Sequence, residues 1–284
     1  MVLSELGAAD LLDMLPLSVE AGWNQTGDDW AVFVRHGSVF GVRAGGRLVA
    51  TAAALPYGPF GFVAMVLTAR DHRGRGLATR LTARAIEALG AAVPVLDATA
   101  AGEPVYARLG FRPLFRIRRF FAPALSREAA ASFPPPPARG AGGGVPPPGR
   151  LTGDTFRRMN PSPGPSRKER GEDDTEAFGA DRGFLLQDFA CRLGKCGPVR
   201  AGRTAAHIGP LVARSEPNAI AALAALAIPT PAIIDVPARW SGLSEWLIAQ
   251  GFTIQREFTR MARGRDVPFG NPARIFATAG PEFG

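Results

Sequence analysis

The residues with the clearest chemical pattern are Arg73-Gly74-Arg75-Gly76-Leu77-Ala78-Thr79. They stand between an apolar run fit for a buried strand, Phe62 to Thr68, and a helical pattern from Leu77 to Leu89. Glycines let main chain approach an anion closely, and the first turn of a helix offers unpaired N–H groups at the positive end of its dipole. Arg73 and Arg75, with Arg70 and Arg80 nearby, add charge suited to phosphates. As a bare pattern this is a common strand-to-helix turn. It lacks the third glycine of a Rossmann fingerprint and the Gly-Lys-Ser/Thr ending of a P-loop. No Ser or Cys stands with a His and a carboxylate in a nucleophile pattern. Three histidines, His36, His72 and His207, and two cysteines, Cys191 and Cys196, are too scattered for a metal site or a disulfide framework.

The elements that must hold this loop read as α/β. Short strands are expected at Ala31–Val34 and Val39–Val42, then at Leu48–Leu55 and Phe62–Thr68. After the helix from Leu77 come a strand at Val93–Leu96, a short helix at Pro104–Leu109 stopped by Gly110, and a strand at Phe115–Phe121. A second half repeats the end of this plan. It has strands at His207–Ala213, Ile233–Val236 and Phe258–Ala262, and helices at Asn218–Leu226 and Trp240–Gln250. Leu96-Asp97…Gly110-Phe111 and Ile234-Asp235…Gly251-Phe252 each run strand, loop, helix and Gly-Phe exit, which suggests two related domains.

The chain has 284 residues, enough for about two domains. Pro134–Pro137, the glycines of 140–144 and Pro146–Pro148 interrupt any core, because Pro lacks an amide donor and Gly is entropically costly to order. The expected division is a first domain at 1–125, a Pro/Gly-rich linker at 126–150 and a second domain at 151–284. A polar stretch at 160–175 reads as an exposed loop of the second domain. No apolar run is long enough to cross a bilayer, and Glu5, Asp10 and Asp13 stand where a signal peptide would be basic and then apolar. A cytoplasmic protein without membrane contact is the expectation. The net charge of +8 is carried by arginine, Lys168 and Lys195 being the only lysines. It forms no basic run interleaved with aromatics, so nucleic acid is not an expected partner.

The stretch Met65 to Thr79 resembles the acetyl-CoA motif of the GNAT N-acetyltransferases, Arg/Gln-x-x-Gly-x-Gly/Ala, which falls here on Arg73, Gly76 and Ala78. Val105-Tyr106-Ala107-Arg108-Leu109-Gly110-Phe111 is similar to that family's second landmark, a tyrosine-bearing helix ending in Leu-Gly-Phe. The likeness extends to a bacterial subgroup of tandem GNAT proteins. It rests on Gly22-Trp23-Asn24-Gln25-Thr26 with Asp29-Trp30, Leu96-Asp97-Ala98-Thr99, Phe178 to Arg182, Ile208 to Leu211 and Ile275 to Gly284. The fold this implies is two tandem GNAT-like domains, each a central mixed β-sheet flanked by helices, the second degenerate.

The resemblance also implies chemistry: direct transfer of an acetyl group from acetyl-CoA, with no metal, to an amine of a small molecule or peptide. Main-chain groups of Leu67 and Thr68 would pair with the pantetheine arm, and Arg73, Gly74, Arg75, Gly76, Leu77, Ala78 and Thr79 would hold the pyrophosphate. Tyr106 would return a proton to the departing thiolate, a phenol of ordinary pKa about 10 donating to a thiol of about 8.5. Core packing is the plainer reading for Tyr106, Leu67 and Thr68. Trp23, Asn24, Asp29 and Asp97 are candidates to border the acceptor, with helix capping or turn formation as the alternative for the two aspartates. The strand before the loop carries no carboxylate, so the general base is open between Asp28, Asp29, Asp97, Glu103 and a water chain. His72 reads as a solvated loop residue beside the motif. In the second half Arg214-Ser215-Glu216-Pro217 replaces the glycine loop, so that domain is not expected to bind CoA, and Asp181, Arg182 and Asp235 read as structural ion-pair partners. A protein that binds acyl-CoA without turning it over is the competing reading.

Overall fold

The computed structural model describes residues 2–124 and 199–284. The linker at 126–150, the polar stretch at 160–175, Phe178 to Arg182 and both cysteines lie outside the described residues.

The first half opens with strand β1 (Val2–Leu6) and helices α1 (Leu11–Glu20) and α2 (Gly27–His36). Strands β2 (Ser38–Ala44), β3 (Arg47–Pro56) and β4 (Phe60–Thr68) follow as an antiparallel meander. Helix α3 (Leu77–Ala88) crosses to β5 (Val93–Thr99), and α4 (Glu103–Arg108) leads to β6 (Phe111–Ala122). The second half supplies β7 (Val199–Arg200), β8 (Ala206–Ile208), β9 (Leu211–Val212), α5 (Glu216–Ala224), β10 (Ala232–Pro237), α6 (Ser241–Ala249), β11 (Thr253–Arg263) and β12 (Ile275–Ala277). These are α/β elements around a mixed sheet, as the pattern of the sequence predicts.

Two expectations are corrected. Residues 31–34 belong to α2, not to a strand. Thr26 Oγ1 accepts from the Asp29 amide at 3.3 Å while Asp29 Oδ2 accepts from the Thr26 amide at 2.7 Å, a reciprocal cap that fixes a helix start. Trp30 and Phe33, three apart, then bury on one face, and that packing overrides the β preference of Val32 and Val34. The strand expected over 207–213 is broken into β8 and β9 at Gly209-Pro210. Pro210 has no amide for a ladder, and a Cβ on Gly209 would stand 2.2 Å from the Thr278 carbonyl oxygen.

Ten strands form one sheet in the order β1-β2-β3-β4-β5-β11-β6-β10-β8-β7. β11, from the second half, lies antiparallel between β5 and β6, while β6, from the first half, lies antiparallel between β11 and β10. Each half therefore gives the other a strand, β11 from the second and β6 from the first. Both hydrophobic cores record the exchange: Met261 and Ala262 of β11 pack in the first, Phe120 and Ala122 of β6 in the second. The β5–α4–β6 and β10–α6–β11 units are related by an approximate two-fold between β6 and β11.

Candidate active site

β4 and β5 are parallel neighbours only over Phe60↔Val93, Gly61↔Pro94 and Phe62↔Val95. Beyond that rung β4 stays with β3 up to Thr68, whereas β5 follows β11 up to Thr99. The strands splay, leaving a wedge-shaped gap whose β4 edge carries no strand partner. Four residues of strand at about 3.3 Å each make it roughly 13 Å deep. A bulge helps to open it. The β3–β4 register shifts between Thr51 and Ala53, Met65 takes a φ of 52°, and the Met65 carbonyl accepts from Thr51 Oγ1 at 2.9 Å. Thr68 Oγ1 is buried on this edge without a partner among the described residues.

The glycine loop stands at the open end of the wedge. Gly74 and Gly76 have φ of 75° and 72°, and a Cβ on either would meet nothing within 4 Å, so the main chain faces open space. Gly76 caps α3 in the left-handed region, and the first turn of α3 carries no acidic residue. Arg70, Arg73, Arg75 and Arg80 are exposed around it. Arg73 Nε donates to the Thr68 carbonyl at 3.2 Å, and Arg75 Nη2 to the Asp71 carbonyl at 3.0 Å. Asp71 also pairs with Arg47 and, at 2.9 Å, with His72 Nδ1, so His72 braces the loop from behind. An open cradle of N–H groups and arginines, next to an unpartnered strand edge, fits a pyrophosphate joined to an extended arm bearing amides.

Tyr106 sits on α4, which follows the β5 wall of the gap. Its ring is edge-on to Phe111 at 6.1 Å, and its hydroxyl has no hydrogen-bond partner among the described residues. Burial pushes its pKa up to about 12. The other tyrosine, Tyr57, spends its hydroxyl on the Phe283 carbonyl at 3.0 Å.

Each of the four acceptor candidates bonds to the second half. Asn24 ties the halves together: Nδ2 donates to the Ala205 carbonyl at 2.9 Å, and Oδ1 accepts from Thr204 N, Thr204 Oγ1 and Ala205 N at 2.9–3.0 Å. The Trp23 carbonyl accepts from Arg203 Nη2 at 2.8 Å. Asp29 caps α2 and also takes Arg200 Nη1 at 3.1 Å. Asp97 is neither a cap nor a turn residue. It is a strand residue with a buried side chain, held by Arg260 of β11 through bonds of 2.6 and 2.7 Å. Of the other base candidates, Glu103 accepts from Thr259 Oγ1 at 3.0 Å.

Across the approximate two-fold, Asp235 of β10 is held by Arg119 of β6 at 2.7 and 2.6 Å, the same bidentate pair in mirrored register. Burial alone would raise the Asp235 carboxyl, but the Arg119 charge and bonds, with His207 beside them, outweigh it and hold the carboxyl below the usual carboxylate range. Asp97 lacks a histidine neighbour; there burial raises the carboxyl against the opposing pull of Arg260. His207 Nδ1 is 2.7 Å from Arg200 Nη2 and therefore accepts, so the proton is on Nε2, 3.3 Å from Asp235 Oδ2. Burial, then the Arg200 charge, lowers its pKa. Arg200 also pairs with buried Glu282, whose Oε2 accepts from Gln25 Nε2 at 2.9 Å. Asp235 is thus the structural ion-pair partner that the sequence predicts.

In the second half, the gap corresponding to the wedge is filled. β12 pairs antiparallel with β9, and Thr278 N donates to the Asp235 carbonyl at 2.9 Å, which sets the segment between β9 and β10. Glu216, the acidic residue in place of a glycine loop, accepts from the Leu243 amide at 2.7 Å at the start of α6.

The site is thus a wedge between two parallel strands of an α/β sheet, opening on a glycine-arginine loop. A model of the acetyltransferase (GNAT) family matches residues 10–111, and one of an acetyltransferase (GNAT) domain matches residues 172–277. The chain belongs to the GNAT N-acetyltransferases and carries two domains of that family in tandem. A Pyrococcus horikoshii protein, provisionally described as an acetyltransferase, is 17% identical with a TM-score of 0.68 over 100% of this chain and 95% of its own, a likeness of fold across both halves. A GNAT-family protein of Novosphingobium aromaticivorans, also provisionally described, is 32% identical over 39% of this chain and 51% of its own, with a TM-score of 0.34. The Escherichia coli ribosomal-protein-S18-alanine N-acetyltransferase is 21% identical over 43% of this chain and 84% of its own, with a TM-score of 0.39. Neither of those two carries an argument at such scores. No curated protein matches the chain.

Proposed function

We propose that the first half, about residues 1–125, is the catalytic unit of an acetyl-CoA-dependent N-acetyltransferase, and that the second half, about 151–284, is a degenerate copy without a cofactor. The observation that carries this is the contrast between the two gaps. One is open and faces the Arg73–Thr79 loop; the other is filled by β12. Bound acetyl-CoA supplies an activated thioester to an amine, of a small molecule or a peptide. Main-chain groups of Leu67 and Thr68 hold the arm as an added strand, and the loop from Arg73 to Thr79 binds the phosphates through backbone N–H groups and guanidinium charge.

Tyr106 is the general acid in this reading. Its raised pKa, about 12, keeps the phenol fully protonated at neutral pH, so it enters the reaction as a donor. Burial makes it a weaker acid than a free phenol, but a thiolate formed in the same buried gap is made more basic by the same desolvation. The proton moves from Tyr106 Oη to the leaving sulfur as the C–S bond breaks, and the proton that the amine nitrogen gives up on becoming the amide passes to water, from which the phenolate is reprotonated.

Titration calorimetry with acetyl-CoA, followed by an amine-library screen read by thiol release, tests the assignment. The expected result is one saturable site per chain. Tyr106→Phe should keep the affinity within twofold and lower kcat by about 10²-fold or more. Absence of saturable binding removes the acyl-CoA reading, and binding without turnover on any amine supports a binding protein instead. Wild-type kcat in the phenylalanine variant removes the acid role.

A further inference from the structure

One side chain of the second half stands at the apex of the open wedge. Arg260 belongs to β11 and stands at the apex, beside the last β4–β5 rung, Phe62↔Val95. Its guanidinium grips Asp97, the next residue of β5 on that face, through two bonds. Its Cζ lies 5.0 Å from the Phe62 ring centroid on β4 and 5.4 Å from that of Phe115 on β6. One arginine thus bridges the two strands that part and the strand beyond, where the gap begins. A planar guanidinium is suited to this, since it can donate bidentately in its plane and stack on rings at its faces.

The second half holds the same device where there is no gap to set. Arg119 grips Asp235 through two bonds, its Cζ lies 5.0 Å from the Phe258 ring, and His207 occupies the position that corresponds to Phe62. Both pairs are bidentate, Arg119–Asp235 buried and Arg260–Asp97 part-buried, so both serve the stability of the sheet. They differ in what lies past them: an open cleft beyond Arg260, β12 beyond Arg119.

We infer that Arg260 is a positioning residue for acetyl transfer, a pin supplied by the second half that sets the spacing of β4 and β5 at the apex of the acyl-CoA wedge. The inference rests on the reading of that wedge as the acyl-CoA site. It gives the degenerate half a definite part in the reaction: its strand β11 brings in the group that holds the cleft in register for an arm bound along β4.

Arg119 provides the control. Arg260→Lys and Arg119→Lys each keep the charge and lose the fork and the flat stacking face. Thermal midpoint and acetyl-CoA affinity are measured for both in the full chain. Both midpoints should fall by similar amounts. Acetyl-CoA affinity should drop tenfold or more in Arg260→Lys and stay within twofold of the wild type in Arg119→Lys. Phe62→Leu, which leaves the Asp97 pair intact but removes the ring on the β4 side, should weaken binding in the same direction. It also stands in if the lysine variant does not fold. Equal affinity changes in the two lysine variants, or wild-type affinity in both Arg260→Lys and Phe62→Leu, overturn the pin. Wild-type chain that fails to bind acetyl-CoA overturns the site reading instead, so the two failures are distinguishable.

Discussion

Asn24 separates two accounts of the loop between α1 and α2. As an acceptor-binding residue, its removal would raise KM for the amine and leave the fold intact. As the tie that the geometry describes, its removal should act on stability. The side chain makes four hydrogen bonds to 204–205, three of them to backbone groups. A Cβ on Gly202 would stand 2.1 Å from Asn24 Nδ2, so the amide is closely enclosed. A net hydrogen bond contributes about 1 kcal/mol, and the four act on one side chain and are not additive, so Asn24→Ala should cost about 2–4 kcal/mol. The neighbouring bonds of Arg203 to the Trp23 carbonyl remain and keep the loop near its place. Urea unfolding followed by tryptophan fluorescence measures the loss as a lower midpoint at unchanged slope. Steady-state kinetics well below that midpoint should give kcat and amine KM within twofold of the wild type. An unchanged midpoint together with a KM raised tenfold would refute the tie and return Asn24 to the acceptor site.

Other expectations follow from the buried groups. His207 has a pKa below its ordinary 6.5, so the unfolded chain binds a proton that the native chain refuses. The associated stability is fully present above about pH 6.5 and is lost as pH falls toward the lowered native value, with a slope approaching 1.4 kcal/mol per pH unit for one proton. His207→Asn should flatten that slope between pH 6.5 and 5.5 in unfolding measurements, and an unaltered slope would assign the proton elsewhere. Gly209→Ala places a Cβ against the Thr278 carbonyl and should lower the thermal midpoint by the equivalent of about 2 kcal/mol or more through overpacking. Acetyl-CoA affinity should remain that of the wild type; a matched loss of affinity would mean that the filled gap and the open one are coupled.

Much of the site was legible because its signals are local. The glycines and arginines of 73–79 sit in seven consecutive residues, and the strand before and the helix after them have clear periods. The helix α2 is hard to see in Ala31–Val34, which is too short to show a period, while the Thr26-x-x-Asp29 cap that begins five residues earlier carries the answer. Trp23, Asn24, Asp29 and Asp97 were singled out as polar or aromatic residues near the motifs. Their partners, Arg203, Thr204, Arg200 and Arg260, are all more than 160 residues away, beyond the reach of any local rule. The strand exchange had one sequence trace. Asp97 and Asp235 interrupt apolar strands at corresponding places, whereas Arg119 and Arg260 are each one of several arginines in theirs. Buried carboxylates need cationic partners, but that rule leaves open which arginine serves each of them and that each bond crosses from one half to the other.

That crossing bears on how such a chain has come to look as it does. Two copies of a family domain joined end to end are ordinarily free to diverge, and the one that loses its cofactor is expendable. Here neither copy can be deleted, because β11, on one side of β5, belongs to the second half and β6, on one side of β10, belongs to the first. Selection on either half therefore acts through the exchanged strand on the other, preserving the frame that both share. Inheritance in this protein is held in common: neither half is a complete gene product, and each survives as a condition of the other.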